Sequence, residues 1–138
     1  MEKIIKNLSI ILISTLLVLL FIELSLRLIG LGNPIIYEKN LVFGYQPKSN
    51  QTVKRFKNSV VTINNENFRV NNSVPEGENK IYFLGDSVTY GGSYIDDKNI
   101  FSSKTCTILN KGTIRFSCLN AGVNAYGLEN ILNRYNYI

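Results

Sequence analysis

Sixteen consecutive residues, 7 through 22, carry no formal charge and are dominated by leucine and isoleucine. A helix that is apolar all round needs either a large protein around it or a bilayer. The run falls a little short of the ~20 residues that cross a bilayer core. The apolar pattern resumes, however, through Leu24, Leu26, Leu28, Ile29 and Leu31. Glu23 and Arg27 interrupt it four residues apart with the acid first, a spacing that pairs them on one helix face. The pattern predicts a membrane-spanning helix over residues 4–31. A cleaved signal peptide is the rival, and it would need an apolar region of about 7–15 residues with a small-x-small site close behind. Only Gly30-Leu31-Gly32 resembles such a site, and it lies well beyond the main run. Lys3 and Lys6 favour a cytoplasmic N-terminus, although Arg27 and Lys39 reduce the bias. The rest of the chain is then expected outside the cytoplasm, as a single-pass membrane protein.

With residues 1–32 set aside as the anchor, about a hundred residues are left for one modest domain. Residues 33–59 read as a polar connector, with a turn at Gly44-Tyr45-Gln46-Pro47. The net charge is +5, and Lys39, Lys48, Lys54, Arg55 and Lys57 make this region basic. Such a stretch is either a solvated face or a contact for anionic lipid headgroups or acidic glycans. It lacks the density and aromatic interleaving of a nucleic-acid site, so no nucleic-acid partner is expected. Next, Val60, Val61, Thr62 and Ile63 read as a strand, Asn64-Asn65 as a turn, and Phe68-Arg69-Val70 as a returning strand. Residues 71–79 read as a loop.

From Lys80 onward the pattern changes to alternating strands and helices. Residues 81–84 form a short continuous apolar run, as suits a parallel strand buried on both faces. Ile100, Phe101, Lys104, Thr105, Ile108 and Leu109 give a helical pattern closed by Gly112. Ile114, Phe116, Cys118 and Leu119 make a second strand, and Leu128, Ile131, Leu132 and Tyr135 begin another helical face. This order implies right-handed crossovers in a parallel α/β sheet.

Ser87 stands where the first of these strands should end. Ligands of open α/β sheets bind beyond the carboxyl ends of the strands. Gly85 lets the chain turn there, Asp86 suits the turn's hydrogen bonding, and Gly91 and Gly92 are expected to leave the mouth flexible and uncrowded. A serine so placed serves as a nucleophile if a base takes its proton; otherwise it is a turn serine. The tract Phe83-Leu84-Gly85-Asp86-Ser87-Val88-Thr89-Tyr90-Gly91 resembles the nucleophile block of the SGNH/GDSL hydrolases, a family of serine esterases and acylhydrolases. Leu119-Asn120-Ala121-Gly122-Val123-Asn124-Ala125-Tyr126-Gly127 resembles that family's second block, which supplies an oxyanion-hole N–H. The family's glycine falls at Ala125 here, with Gly127 two further on, and either can supply the N–H. Asn120 is expected to support the turn.

The resemblance implies a flavodoxin-like three-layer α/β/α fold, with Ser87 as nucleophile and its own N–H in the oxyanion hole. Residues 60–138 would be part of that domain. The family's Gly-x-Asn-Asp and Asp-x-x-His blocks do not occur, and the chain holds no histidine. No Ser-x-x-Lys spacing replaces them, because position 90 is Tyr90. The chain is therefore expected to be a truncated N-terminal portion, inactive by itself, whose open sheet edge invites a completing partner. Candidate substrates are acylated glycans or lipid esters. The rival functions are an envelope polysaccharide O-acetyltransferase, a non-catalytic anchored binding protein, and a gene fragment. No cofactor or metal is expected. Cys106 and Cys118 match no zinc spacing and are either two buried thiols or a disulfide.

Overall fold

The computed structural model describes residues 2–72 and 77–138. Helix α1 (Glu2–Leu28) is long and apolar enough to cross a membrane, and none of it is buried against the rest of the protein. Arg27 pairs with Glu23 at 2.7 Å, as their spacing requires. The helix ends three residues earlier than the apolar pattern, because the chain turns at residues 29–32 with Gly30 at φ 83°.

The segment expected to be a polar connector is folded. Strands β1 (Tyr37–Asn40) and β2 (Gly44–Pro47) form an antiparallel hairpin in register Tyr37↔Pro47. The turn expected at residues 44–47 is thus a strand, and the chain reverses at residues 41–43 instead. The Asn40 side chain accepts from Val42 N at 2.9 Å and so builds the reversal just upstream of the expected turn. Strand β3 (Gln51–Lys54) then pairs antiparallel with β4 (Val60–Ile63), and β4 with β5 (Arg69–Val70). The β4–β5 pair is the hairpin read from the sequence. Its turn is built by Asn64, whose side-chain oxygen accepts from Glu66 N and Phe68 N.

Strand β6 (Asn79–Phe83), the short helix α2 (Ser87–Tyr90), helix α3 (Phe101–Leu109), strand β7 (Phe116–Asn120) and helix α4 (Leu128–Tyr137) follow. The loop expected over residues 71–79 lies partly outside the described residues. β6 and β7 pair in parallel, Ile81↔Cys118 being one register pair. The five-stranded sheet runs β3-β4-β5-β7-β6 and is mixed. The parallel pairing expected of the α/β part is the β6–β7 pair, and the β4–β5 hairpin joins the same sheet antiparallel through the Arg69↔Asn120 pair. β6 is consequently an edge strand, half-buried rather than covered on both faces.

Among the described residues the core is divided among three small clusters. Val61, Ile63 and Tyr90 form one, Phe68, Leu119 and Ala121 a second, and Phe43, Val123 and Tyr126 a third. Burial of each large side chain contributes about 1.5–3 kcal/mol. Arg134 of α4 lies between the Phe43 and Phe68 rings, 5.5 and 5.3 Å from their centroids, and donates to Asn67 O at 3.0 Å. It thereby joins two of the clusters. Cys106 of α3 and Cys118 of β7 are disulfide-bonded, with Cα atoms 5.8 Å apart.

Candidate functional site

The chain leaves β6 through Leu84 and Gly85 and enters α2 at Ser87. A Cβ on Gly85 would stand 2.0 Å from the Thr89 hydroxyl oxygen, so this turn admits no side chain. Asp86 caps α2, its carboxylate accepting from Val88 N at 2.9 Å. That bond satisfies one of the donors a helix start leaves unpaired. Gly91 ends the helix in the left-handed conformation, its N–H donating to Ser87 O at 3.0 Å. Ser87 is exposed at the first position of α2.

The second tract lies directly beside this turn. Ala121 N donates to Phe83 O at 2.8 Å and Val123 N to Gly85 O at 3.1 Å, continuing the ladder past both strand ends. A Cβ on Gly122 would come 2.4 Å from Tyr90 N. Only glycine permits so close an approach of the two backbones. Asn120 secures it: its amide donates to Thr89 O at 2.7 Å and to Ser102 Oγ at 3.1 Å, and its oxygen accepts from Gly122 N at 2.9 Å.

An open cleft of about 480 Å³ adjoins Ser87, lined also by Val88, Gly91, Gly92, Ser93, Tyr94, Ile95 and Asn124. The second tract reaches the cleft through Asn124. Ala125 and Gly127 are exposed and are not among the lining residues. Asn124 is held by the β1–β2 hairpin: its amide donates to the Tyr37 hydroxyl at 3.2 Å, and its carbonyl accepts from the Tyr45 hydroxyl. Ala125, at the position where the resemblance implies glycine, has φ 61°. A residue with a Cβ pays roughly 1 kcal/mol to sit there. Among the described residues, none that lines the cleft is a carboxylate, lysine or histidine.

The mouth is packed, not loose. Gly91 and Gly92 sit at φ 85° and 70°, and a Cβ on either would lie within 3 Å of Ile100 or Tyr94. The organising residue is Arg69, which sequence reasoning treated only as part of a returning strand. Its side chain is fully buried, and Nε donates to Asp97 Oδ1 at 2.8 Å. Nη1 donates to Tyr90 O at 3.0 Å and Gly92 O at 2.7 Å, while Nη2 donates to Ile95 O. The guanidinium carbon stands 4.9 Å from the Tyr90 ring centroid. Asp97 also accepts from Thr62 N at 2.7 Å. Burial pushes the Asp97 carboxyl up from its ordinary range, against the opposing pull of Arg69 and Thr62. Burial likewise raises the Tyr90 phenol. A charged residue within a β-branched and aromatic strand was the available signal, since such a residue is buried only when paired.

A second cavity of about 390 Å³ lies against the disulfide, lined by residues including Asn64, Val70, Ser103 and Ser117, with no titratable side chain among the described residues that line it. Among the described residues no group of three His, Cys, Asp or Glu is arranged to hold a metal ion. Comparison of the chain with models of known protein families, with curated proteins and with solved structures finds no match.

Proposed function

We propose that this chain is a membrane-anchored protein carrying the nucleophile half of an SGNH/GDSL-type ester hydrolase site, with Ser87 as the nucleophile. The observation that carries the reading is the juxtaposition of the two sequence tracts: Ser87 is exposed at the carboxyl end of a parallel strand, and the Asn120–Gly122 turn is hydrogen-bonded against its helix. A hydroxyl attacks an ester only when a base accepts its proton. These 138 residues contain no histidine to accept it. An acyl ester, on a glycan or a lipid, is the substrate class; transfer of the acyl group to an acceptor other than water is the same chemistry at the same serine.

Two features support an extracytoplasmic domain. Lys3 and Lys6 precede α1, which favours a cytoplasmic N-terminus, and the Cys106–Cys118 bond belongs to an oxidising compartment. A second reading, an anchored binding protein without catalysis, is favoured by the cleft lining, which among the described residues offers no carboxylate, lysine or histidine.

Hydrolysis of 4-nitrophenyl acetate by the full chain in detergent separates the two. Alone, the chain gives no turnover above buffer. The cleft admits a small base, so added imidazole produces a saturable increment that Ser87→Ala abolishes. An imidazole rate identical in the wild type and Ser87→Ala leaves the binding-protein reading and removes the hydrolase one.

A further inference from the structure

We infer that the β3–β4 turn is a contact surface for anionic phospholipid headgroups, seating the domain on the bilayer that α1 crosses. The inference rests on the reading of α1 as a membrane anchor. Three observations carry it. First, the turn is fastened to the point where α1 ends. A Cβ on Gly30 would lie 2.7 Å from the Arg55 carbonyl carbon, so the two backbones touch, and the Arg55 guanidinium donates to Asn33 O. Wherever the helix leaves the hydrocarbon, this turn is beside it.

Second, the turn has the composition that a headgroup layer selects. Lys54, Phe56 and Lys57 are exposed, and Arg55 is half-buried. Lys57 Nζ stands 5.7 Å from the Phe56 ring centroid, so cation and aromatic ring lie together. Among the described residues none of Lys54, Arg55 and Lys57 forms an ion pair with a carboxylate; the three ion pairs lie elsewhere. Asp96, joined to the start of β4, accepts from Val60 N at 3.1 Å and Lys98 N at 3.1 Å. Unpaired cations beside an anionic leaflet are each attracted to it, and an aromatic ring suits the interface.

Third, the turn is rigid enough to transmit its position. Arg55 N donates to Ser59 O at 2.8 Å, closing it, and Lys57 and Asn58 both sit at φ 58°. Ser59 Oγ donates to Ser93 O at 3.3 Å, and Ser93 lines the Ser87 cleft. Headgroup contact at the turn therefore holds one rim of the cleft next to the bilayer surface.

The chain contains no tryptophan, so Phe56→Trp creates a single fluorescent reporter at the turn and Phe21→Trp a separate one within α1. Each full-length variant is reconstituted into vesicles of phosphatidylcholine, with and without phosphatidylglycerol, and quenched by headgroup spin-labelled or chain-brominated lipid. The expected result is headgroup quenching and a blue shift at position 56 in the anionic vesicles, reversed by high salt. Replacing both Lys54 and Lys57 with Gln lowers the docked-to-free ratio roughly 30-fold, taking ~1 kcal/mol for each cation. Position 21 is quenched by brominated chains in both vesicles. Solvent-like emission at position 56 with position 21 inserted overturns the inference and leaves the anchor intact. So does equal quenching at position 56 with and without phosphatidylglycerol, or a response only to a soluble acidic polysaccharide. Position 21 unquenched overturns anchor and inference together.

Discussion

The two loops that meet at Ser87 are held in place by different physics. The loop over residues 86–97 hangs on one buried cation, since Arg69 binds Asp97 and the carbonyls of Tyr90, Gly92 and Ile95. The loop over residues 120–127 is held by many neutral bonds: Tyr37 and Tyr45 to Asn124, Tyr126 to Tyr45 O, and Gly127 N to Asn130 Oδ1 at 3.1 Å. One arrangement concentrates its stability in a pair that fails as a unit. The other spreads it over contacts worth about 1 kcal/mol each. The first loop carries Ser87. The second tolerates a left-handed alanine because its neighbours over-determine its path.

This contrast gives a ranking of effects, each read from urea unfolding of the full chain in detergent by tyrosine near-UV dichroism. Arg69→Met is the most damaging, at about 3–5 kcal/mol, because it leaves Asp97 buried without its partner. Adding Asp97→Leu recovers part of that loss; no recovery would show that Arg69 acts through the carbonyls and not through the pair. Gly122→Ala follows, at about 1–3 kcal/mol of overpacking where the loops touch, and Ser87 should then move relative to Asn124. Tyr45→Phe removes one of several neutral bonds and costs about 1 kcal/mol. A loss as large as that of Arg69→Met would erase the distinction between the loops. The smallest effect is a gain: Ala125→Gly relieves the left-handed strain and raises stability by up to ~1 kcal/mol, partly offset by glycine's greater unfolded-state entropy.

Periodicity made the sequential elements readable. The apolar run of α1, the Glu23–Arg27 pair, the hairpin at Asn64-Asn65 and the alternation from β6 to α4 each follow from local pattern. Contacts between distant segments were not readable. β1, β2 and β3 are short and polar; Tyr37, Phe43 and Tyr45 of the first hairpin pack against Val123, Tyr126 and Ile131 far along the chain, and Val53 of β3 packs against Val61, Ile63 and Tyr90. The antiparallel joint Arg69↔Asn120 has no local signature, so the mixed sheet was invisible. At the site, Ser87, Gly85 and Asp86 were legible because a strand-to-turn junction fixes them locally. Arg69, Asp97 and Asn124 were not, since their importance arises from partners on other elements. The glycines at residues 91 and 92 suggested looseness, whereas the close approach of Ile100 and Tyr94 shows why glycine is required there.

The most direct test of Ser87 as the nucleophile is to locate the acyl group after exposing the full chain to 4-nitrophenyl acetate and imidazole, stopping the reaction with acid and mapping peptides by mass spectrometry. The account predicts an acetyl ester on Ser87, with the neighbouring Ser93, Ser102 and Ser103 unmodified. Acetylation confined to surface lysines, with the Ser87 peptide unchanged, would contradict it.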